Sequence, residues 1–231
     1  GGMFGDWDLE LPRMHGIFAT GNGNLGWAVP GPAADNFKRC SLYGSPPVGR
    51  SAGGGSPSFE AEEYWFGNSL YVPGQGDEEV LWRAATNAIK PTDGGSYPLV
   101  TKGGWQIACL TSLANPTAAS LAQGEGFVAL APDGTRWTFN QFASRRIPSL
   151  VKNSLVTGPL AAPGSQGRRV RLATEPIITP DITIATQERL PRSQIWLLPT
   201  RAVDRYGNVL TFTYDPNNAW RLMSIASSDG R

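Results

Sequence analysis

The sequence has few of the side chains from which active sites and metal centres are commonly built. Its 231 residues include a single histidine, His15, and only two cysteines, Cys40 and Cys109. A structural zinc site needs more Cys and His ligands than these three residues supply. No Asp-x-Asp-x-Asp-Gly calcium loop is present, and no serine stands in the strand–turn–helix setting of a nucleophile elbow. The sequence therefore predicts no metal, no cofactor and no hydrolase triad.

Charge and long apolar runs are also scarce. Charged residues make up 17% of the chain and the formal net charge is +1, with a small basic group at Arg168, Arg169 and Arg171. Nucleic-acid binding requires more clustered positive charge than this. No apolar run reaches the roughly 18 residues of a membrane span. The first residues, GGMFGDWDLELP, lack the basic and apolar regions of a signal peptide. We expect no nucleic-acid partner, no membrane insertion and no signal peptide in this stretch.

Glycine, proline and aromatic residues are abundant instead. The chain has 28 Gly, 19 Pro, eight Trp and nine Phe residues. Disordered chains are poor in aromatic residues, so this composition indicates an ordered fold rich in turns. Many short strands joined by Gly/Pro turns are typical of all-β proteins. With no sharp change of composition along the chain, we predict an all-β fold with one β domain over 1–231.

Alternation of apolar and polar residues is the main periodic signal, and it predicts strands. Turn signals rich in Gly, Pro and Asn separate the alternating stretches. The predicted strands are 7–12, 63–66, 69–73, 79–84, 104–110, 126–132, 136–142, 169–174, 181–186 and 194–204.

The C-terminal part is the most regular, because NVLTFTY and AWRLMSI flank the turn signal DPNN and predict a β-hairpin over 206–225. Residues 44–57, GSPPVGRSAGGGSP, are predicted to form a mobile surface loop, and 143–168 has a weaker form of the same composition. Pro116 interrupts the one helical candidate, 112–123, which we expect to be a turn or short helical loop.

A weak internal repeat accompanies these turns. The stretches FGNSLYV (66–72), DGTRWTF (133–139) and YGNVLTF (206–212) each place a glycine before alternating apolar positions. Glycine adopts positive φ at no steric cost, and Asn tolerates it, so a tight turn that opens a strand explains the pattern. We interpret the three stretches as one supersecondary unit.

Three features could suggest chemistry, and each has a simpler interpretation. The acidic groups Glu60, Glu62, Glu63 and Asp77, Glu78, Glu79 could hold a glycosidase carboxylate pair or a metal, but an exposed charged edge that resists sheet aggregation also explains them. His15 precedes Gly16 and is predicted to be a turn residue bonded to backbone. GNGNLG (21–26) lacks the Gly-Lys-Ser/Thr of a phosphate loop and is predicted to be a turn.

The C-terminal stretch DRYGNVLTFTYDPNNAWRLMSIASSDGR resembles the tyrosine–aspartate (YD) repeats of RHS (rearrangement hotspot) proteins. Tyr206, Gly207 and Asn208 match the turn of that unit, and Tyr214 and Asp215 match its name-giving pair. The second strand of the unit is matched by Arg221 and Leu222, although Trp220 stands where the family usually has Gly. Looser similarities are WDLELPRMHG, EEYWFGNSLYVPG, GWQIACL and APDGTRWTF.

The resemblance implies a long antiparallel sheet of such hairpins that curls into a shell or barrel. In that family the shell encloses a C-terminal toxin or displays an adhesive cargo, so the partners would be the rest of the repeat core and that cargo. This chain would be an early, non-enzymatic part of the wall, with residues 204–231 as one repeat unit. A bacterial, secreted or cell-surface location follows from the same resemblance.

The two cysteines can form one disulfide or remain as two buried thiols. The exported context implied by the resemblance favours the disulfide. A bridge requires the Cα atoms of Cys40 and Cys109 to lie within about 7 Å of each other.

A carbohydrate-binding or cell-surface adhesion module is the alternative function. Trp65, Trp82 and Trp105 are the residues that would stack on sugar rings, whereas core packing is the usual role of such residues in alternating strands. Cell-surface glycans would then be the partners.

Overall fold

The fold is described from a computed structural model, for residues 9–21, 24–25, 37–44, 59–83, 90–116, 122–159 and 181–229. Within these ranges the protein is all-β and contains no α-helix; its one helical turn is a 3-10 turn at Ala61–Glu63. The strands are β1 Arg13–Gly21, β2 Asn24–Leu25, β3 Ser69–Val72, β4 Gly76–Glu79, β5 Leu81–Trp82, β6 Leu99–Val100, β7 Gln106–Leu110, β8 Gly126–Leu130, β9 Arg136–Pro159, β10 Asp181–Val203, β11 Val209–Asp215 and β12 Asn218–Ser227.

One large antiparallel sheet runs in the order β4–β3–β1–β10–β9–β8–β7–β6–β5. The two ends of this order, β4 and β5, are consecutive in the chain and are separated only by Val80. The segment 76–82 therefore pairs with β3 through its first half and with β6 through its second half. The sheet curls into a nearly closed barrel, and this bent segment forms its seam.

The largest apolar cluster of the described residues lies inside the barrel, and alternate residues of the strands contribute to it. In β1, for example, Met14 and Phe18 are buried while Arg13 and His15 face outward. Each fully buried aliphatic or aromatic side chain of this kind stabilises a fold by about 1.5–3 kcal/mol. The cluster comprises Met14, Phe18, Cys40, Tyr43, Leu70, Val72, Val80, Leu99, Trp105, Ile107, Leu113, Ala122, Phe127, Ala129, Ala131, Phe139, Phe142, Ile195 and Leu197.

Segment 37–44 is attached to the barrel by a disulfide. Cys40 and Cys109, the predicted pair, are bonded, and their Cα atoms lie 5.3 Å apart. Cys109 lies in β7, whereas Cys40 is fully buried in the core cluster. The bridge therefore holds an irregular segment against a strand of the barrel wall.

Glu125 provides a second attachment for the same segment. Its carboxylate accepts hydrogen bonds from the N–H groups of Cys40 and Ser41, both at 2.9 Å, and from the Ser41 hydroxyl at 2.6 Å. The guanidinium of Arg39 donates to the Glu125 carbonyl oxygen. Burial lowers the pKa of Arg39 to about 10, against attraction from Glu125, so this side chain stays charged at neutral pH.

The loop 90–98 is fixed to the start of β9 through Asp93. This carboxylate accepts hydrogen bonds from the Tyr97 hydroxyl at 2.6 Å and the Gly95 N–H at 3.0 Å, and it pairs with Arg136. The hydrogen bond from Tyr97, then that from Gly95, lowers the pKa of Asp93 from 3.8 to about 2. The ionised carboxylate is thus favoured in the folded state.

We expect the contribution of Asp93 to stability to depend on pH in acid. Because its folded pKa is depressed, the stabilisation is complete above the unfolded pKa of about 4 and is lost as the pH falls toward about 2. Thermal melts of the wild type and Asp93→Asn should differ most at pH 5 and converge near pH 2. A difference in melting temperature that stays constant across this range would contradict the prediction.

The structure corrects several predicted elements near the N-terminus. Residues 9–12 of the predicted strand 7–12 are not a strand, and β1 begins at Arg13. His15 lies within β1 and bonds the side chain of Asp77 at 2.7 Å, so its predicted role as a turn residue bonded to backbone is wrong. Gly16 lies within the strand, where the absence of a side chain permits close packing. A Cβ at this position would lie 2.8 Å from the Asn68 side chain and the Phe18 ring.

Other corrections concern strand boundaries. Residues 63–66, predicted as a strand, end the 3-10 turn and continue as loop. The segment 143–159, predicted to be loop-like, is part of β9, and β10 joins the two predicted strands 181–186 and 194–204 into one. The predicted strand 169–174 and all of the predicted loop 44–57 except Gly44 lie outside the described residues.

Candidate functional site

Three hairpins of the sheet share one turn. It occurs at 101–105, 131–135 and 204–208, and leads into β7, β9 and β11 respectively. In each five-residue turn, the N–H of the first residue donates a hydrogen bond to the carbonyl of the fifth. The carbonyl of the first residue accepts a hydrogen bond from the N–H of the fourth, and all these bonds are 2.8–3.1 Å long. The fourth residue is always glycine with φ near +90°: Gly104, Gly134 and Gly207. This is the geometry of a three-residue hairpin loop with a glycine bulge.

The repeat read from the sequence agrees with two of these turns. The glycines of 133–139 and 206–212 occupy the shared position. Gly67, in the stretch 66–72, has a similar φ of 89°, but it precedes β3 in a loop and not in this turn. The carbonyl of the next residue, Asn68, accepts a hydrogen bond from the Val80 N–H in the seam segment. The turn at 101–105 was missed because its sequence, TKGGW, shares only the glycine.

Asp204 holds the turn that opens the β11–β12 hairpin. Its carboxylate accepts hydrogen bonds from the N–H groups of Tyr206 at 2.8 Å and Asn208 at 2.9 Å, and from the Asn208 side-chain amide at 2.7 Å. These bonds, led by that from the Asn208 side chain, lower the pKa of Asp204. Gly207 and Asn208 thus have structural roles in the turn, whereas Tyr206 is 75% exposed.

Alanine at the two bulge glycines should destabilise the protein unequally. Both positions have φ of +90°, which costs a non-glycine residue about 1 kcal/mol or more. A Cβ at Gly207 meets nothing within 4 Å, whereas one at Gly134 lies 3.3 Å from the Arg205 Cβ. Urea denaturation should therefore give a loss of about 1 kcal/mol for Gly207→Ala and a larger loss for Gly134→Ala. Equal losses would contradict the crowding at Gly134, and no loss at either position would show that the turns are not strained as described.

The tyrosine of the YD pair connects β11 to an irregular point of β10. The Tyr214 hydroxyl donates to the Pro199 carbonyl at 2.8 Å, where the pairing of β10 with β9 shifts register on both sides of Pro199. Burial raises the pKa of Tyr214, which keeps the phenol protonated as this hydrogen bond requires. Phe212, on the same strand, is buried and stacks on Trp137 of β9 at 6.0 Å.

Tyr214→Phe should lower the free energy of unfolding by about 1 kcal/mol, because the Pro199 carbonyl loses its donor. Tyr206→Phe is the matched control, since its hydroxyl is exposed and only accepts a hydrogen bond from Arg205. Urea denaturation of both variants gives the comparison. If the two cost the same, the Tyr214 hydrogen bond has no special role.

The remaining YD residues shape the turn between β11 and β12. Asp215 accepts a hydrogen bond from the Asn217 N–H at 2.8 Å and lies 3.6 Å from the Arg221 guanidinium. Leu222 is the register partner of Tyr214. Trp220 packs edge-on against Trp196 of β10, with ring centroids 4.8 Å apart. This ring therefore contributes a contact between the hairpin and the barrel.

The outer edge of β12 has no strand partner among the described residues. The hairpin is attached to the barrel through the three pairs between Arg201–Val203 of β10 and Val209–Thr211 of β11, and through contacts of Phe212, Tyr214 and Trp220. Large apolar side chains on it remain exposed, at Leu210, Met223 and Ile225. We call the unpaired side of β12 the open edge.

The three tryptophans proposed for sugar stacking lie in different environments. Trp82 is 52% exposed and contacts Tyr43 edge-on. Trp65 is partly buried against the core cluster and against a smaller cluster of Ala19, Phe59, Tyr64 and Leu190. Trp105 is 5% exposed and lines a cavity of about 430 Å³ with Trp137 and Pro132. They therefore do not act as one exposed platform.

The two acidic groups each engage other strands. Glu63 pairs with Lys152 of β9 at 2.7 Å, and this contact is the main cause of its lowered pKa. Asp77 pairs with His15, and Glu78 accepts a hydrogen bond from the Gly103 N–H at 3.1 Å. Within the described ranges no three His, Cys, Asp or Glu side chains form a group that could hold a metal. The same ranges contain no helix that is both long and apolar enough to cross a membrane.

The structure thus brings together Tyr206, Gly207, Asn208, Tyr214, Asp215, Arg221 and Leu222 in one hairpin with an open edge. Sequence reasoning missed Pro199 and Trp196, the β10 residues that Tyr214 and Trp220 contact, because both lie in a distant stretch. No family model, curated protein or solved structure matches this chain significantly.

Proposed function

We propose that this chain is a structural segment in the wall of a β-sheet shell of the RHS (YD-repeat) type, and that it performs no catalysis. The observation that carries the proposal is the β11–β12 hairpin. It is a complete turn–strand–turn–strand unit that leaves the barrel and presents an open edge. An exposed strand edge is a template for another strand.

The β9–β10 hairpin supports the same interpretation. The two strands pair along their whole length, from Val203↔Arg136 to Asp181↔Pro159. Other strands pair only with the proximal part of this hairpin. They are β8, which pairs with Arg136–Phe139 of β9, and β1, which pairs with Arg192–Leu197 of β10. Among the residues that the structure describes, the distal half therefore pairs as two strands only. A two-stranded ribbon is marginally stable alone in water, so a neighbouring sheet would stabilise it.

Under this proposal the barrel is a compact start of the wall, and further sheet is added at the hairpins. The partners are the remaining repeat core and its cargo, a toxin or adhesive segment that the closed wall confines. A secreted or cell-surface bacterial location fits the disulfide, since oxidising compartments favour such bonds. A role in sugar binding or adhesion through Trp65, Trp82 and Trp105 has less support, because Trp105 is buried and Trp65 is partly buried.

The reading frame downstream of the Arg231 codon gives the first test. Further YD units there would support the proposal, and a stop codon would contradict it. The complete gene product should then be subjected to limited proteolysis, with the C-terminal segment followed by mass spectrometry. A C-terminal segment that is cleaved as fast within the product as when expressed alone would also contradict confinement.

A further inference from the structure

The barrel wall has its shortest ladders of backbone pairing between the seam and β7. Strand β5 pairs with β6 through two residue pairs, Leu81↔Val100 and Trp82↔Leu99, and β6 pairs with β7 through two more. The next two strands of the wall, β7 and β8, are joined by five pairs. Short ladders open more readily than long ones, so local opening of the barrel is expected first at β5 and β6.

Segment 37–44, which we call the strap, bridges these short ladders. One part of it is fixed to β7 by the bond to Cys109, and to Glu125, the residue before β8. Further along the strap, the Tyr43 hydroxyl donates a hydrogen bond to the Val80 carbonyl at 2.9 Å. Val80 lies in the seam, between β4 and β5. The strap therefore connects the β7–β8 part of the wall directly to the seam.

The strap also places a charge in the interior. The Arg39 guanidinium is fully buried, where it donates a hydrogen bond to the Glu125 carbonyl oxygen. Removal of a charged group from water is unfavourable even when the group is hydrogen-bonded. The bound position of the strap therefore requires a compensating constraint, and the covalent bond between Cys40 and Cys109 provides one.

The disulfide is open to exchange from one side. Cys40 is fully buried, whereas Cys109 in β7 is partly exposed. A thiolate of a dithiol reductant attacks the Cys109 sulfur, and the Cys40 sulfur leaves as a thiolate that takes up a proton. The second thiol of the reductant then attacks the mixed disulfide and releases Cys109. The products are two cysteine thiols and the cyclic disulfide of the oxidised reductant.

We propose that the strap is a redox-sensitive latch on the barrel. Reduction of the bond between Cys40 and Cys109 releases the strap, so the hydrogen bond from Tyr43 to Val80 is lost. The wall then opens at β5 and β6, while β8, β9 and β10 stay paired. Oxidising compartments keep such a bond closed and reducing compartments break it, so the latch responds to transfer between the two. This inference does not rest on the wall function.

The test is hydrogen–deuterium exchange of the purified chain, followed by mass spectrometry, before and after reduction by dithiothreitol. The backbone amides of 79–83 and 99–101 should exchange about tenfold faster or more after reduction. Those of 192–197, which pair with strands on both sides, should change less than about twofold. The double variant Cys40→Ala/Cys109→Ala should show the fast exchange without reductant.

Tyr43→Phe separates the strap contact from the disulfide, because it removes only the hydroxyl that bonds Val80. With the disulfide intact, this variant should accelerate exchange at 79–83. Tyr206→Phe is its matched control, since Tyr206 is exposed on the C-terminal hairpin, and it should leave that exchange unchanged. Equal exchange in the two variants would show that the strap does not hold the seam, and would overturn the proposal.

Reduction of the wild type keeps the test valid if the double variant fails to fold. The proposal is overturned if alkylation detects two free thiols while exchange at 79–83 and 99–101 stays unchanged. It is also overturned if 192–197 exchanges equally fast, because reduction then unfolds the whole barrel, or if the disulfide resists dithiothreitol until the chain is denatured. None of these outcomes depends on the reading frame beyond Arg231, so they are separable from those that test the wall function.

Discussion

Phe139→Ala is expected to lower the free energy of unfolding by about 3–5 kcal/mol. Phe139 is fully buried, pairs across the sheet with the equally buried Phe127, and stacks on Trp137 at 6.3 Å. Its removal would leave a cavity in the core cluster inside the barrel. Because a close-packed barrel relaxes little around such a cavity, the lost contacts are not recovered. Equilibrium denaturation in urea measures the effect.

Met223→Ala is the matched control for this prediction. Met223 is also large and apolar, but it is 55% exposed on β12. Its truncation should change the free energy of unfolding by less than about 0.5 kcal/mol. A loss at Met223 comparable to that at Phe139 would mean that the hairpin is packed against something in the isolated chain, contrary to an open edge.

Removal of the disulfide is expected to have an effect of similar size. The bridge joins residues 69 positions apart, and closing a loop of that length stabilises the folded state by about 4 kcal/mol in the chain-entropy account. The double variant Cys40→Ala/Cys109→Ala should lose about this amount of unfolding free energy, as should the wild type in a strong reductant.

The double variant also provides the control, because reductant should not change its stability further. The bridge would be unimportant if reduction of the wild type lowered the free energy of unfolding by less than about 1 kcal/mol. In that case the Glu125 hydrogen bonds to Cys40 and Ser41 would be sufficient to hold segment 37–44.

The all-β class was predictable from the sequence because apolar alternation and turn residues are local features of the chain. Alternation defined β3, β7, β8 and the β11–β12 hairpin to within a few residues, since each has apolar residues at every second position and a turn signal at its ends. The turn at 204–208 was also predictable, because Gly207 and Asn208 are residues that such a turn demands.

The errors arose where tertiary contacts override local signals. His15 was interpreted as a turn residue because Gly16 follows it, yet both lie within β1, and a Cβ at Gly16 would lie 2.8 Å from the Asn68 and Phe18 side chains. The segment 143–159 has little apolar alternation of its own, and β10 pairing holds it as a strand. A single sequence carries no signal for such a long-range partner.

The candidate site was predicted only as far as it is local. The C-terminal hairpin was predicted because its residues form one continuous stretch. Its contact with the barrel was missed because Trp196 and Trp220 belong to separate strands that only the sheet order brings together. The burial of Trp105, which is 5% exposed, follows from core packing that the sequence does not show.

The proposed wall function requires the open edge of β12 to be a growth point of a larger sheet. An experimental structure of the complete gene product would show this edge. The backbone of Asn218–Ser227 should pair on its outer side with a further strand of the same product. A complete product in which that edge faces solvent, or in which it is covered by a helix, would rule the proposal out.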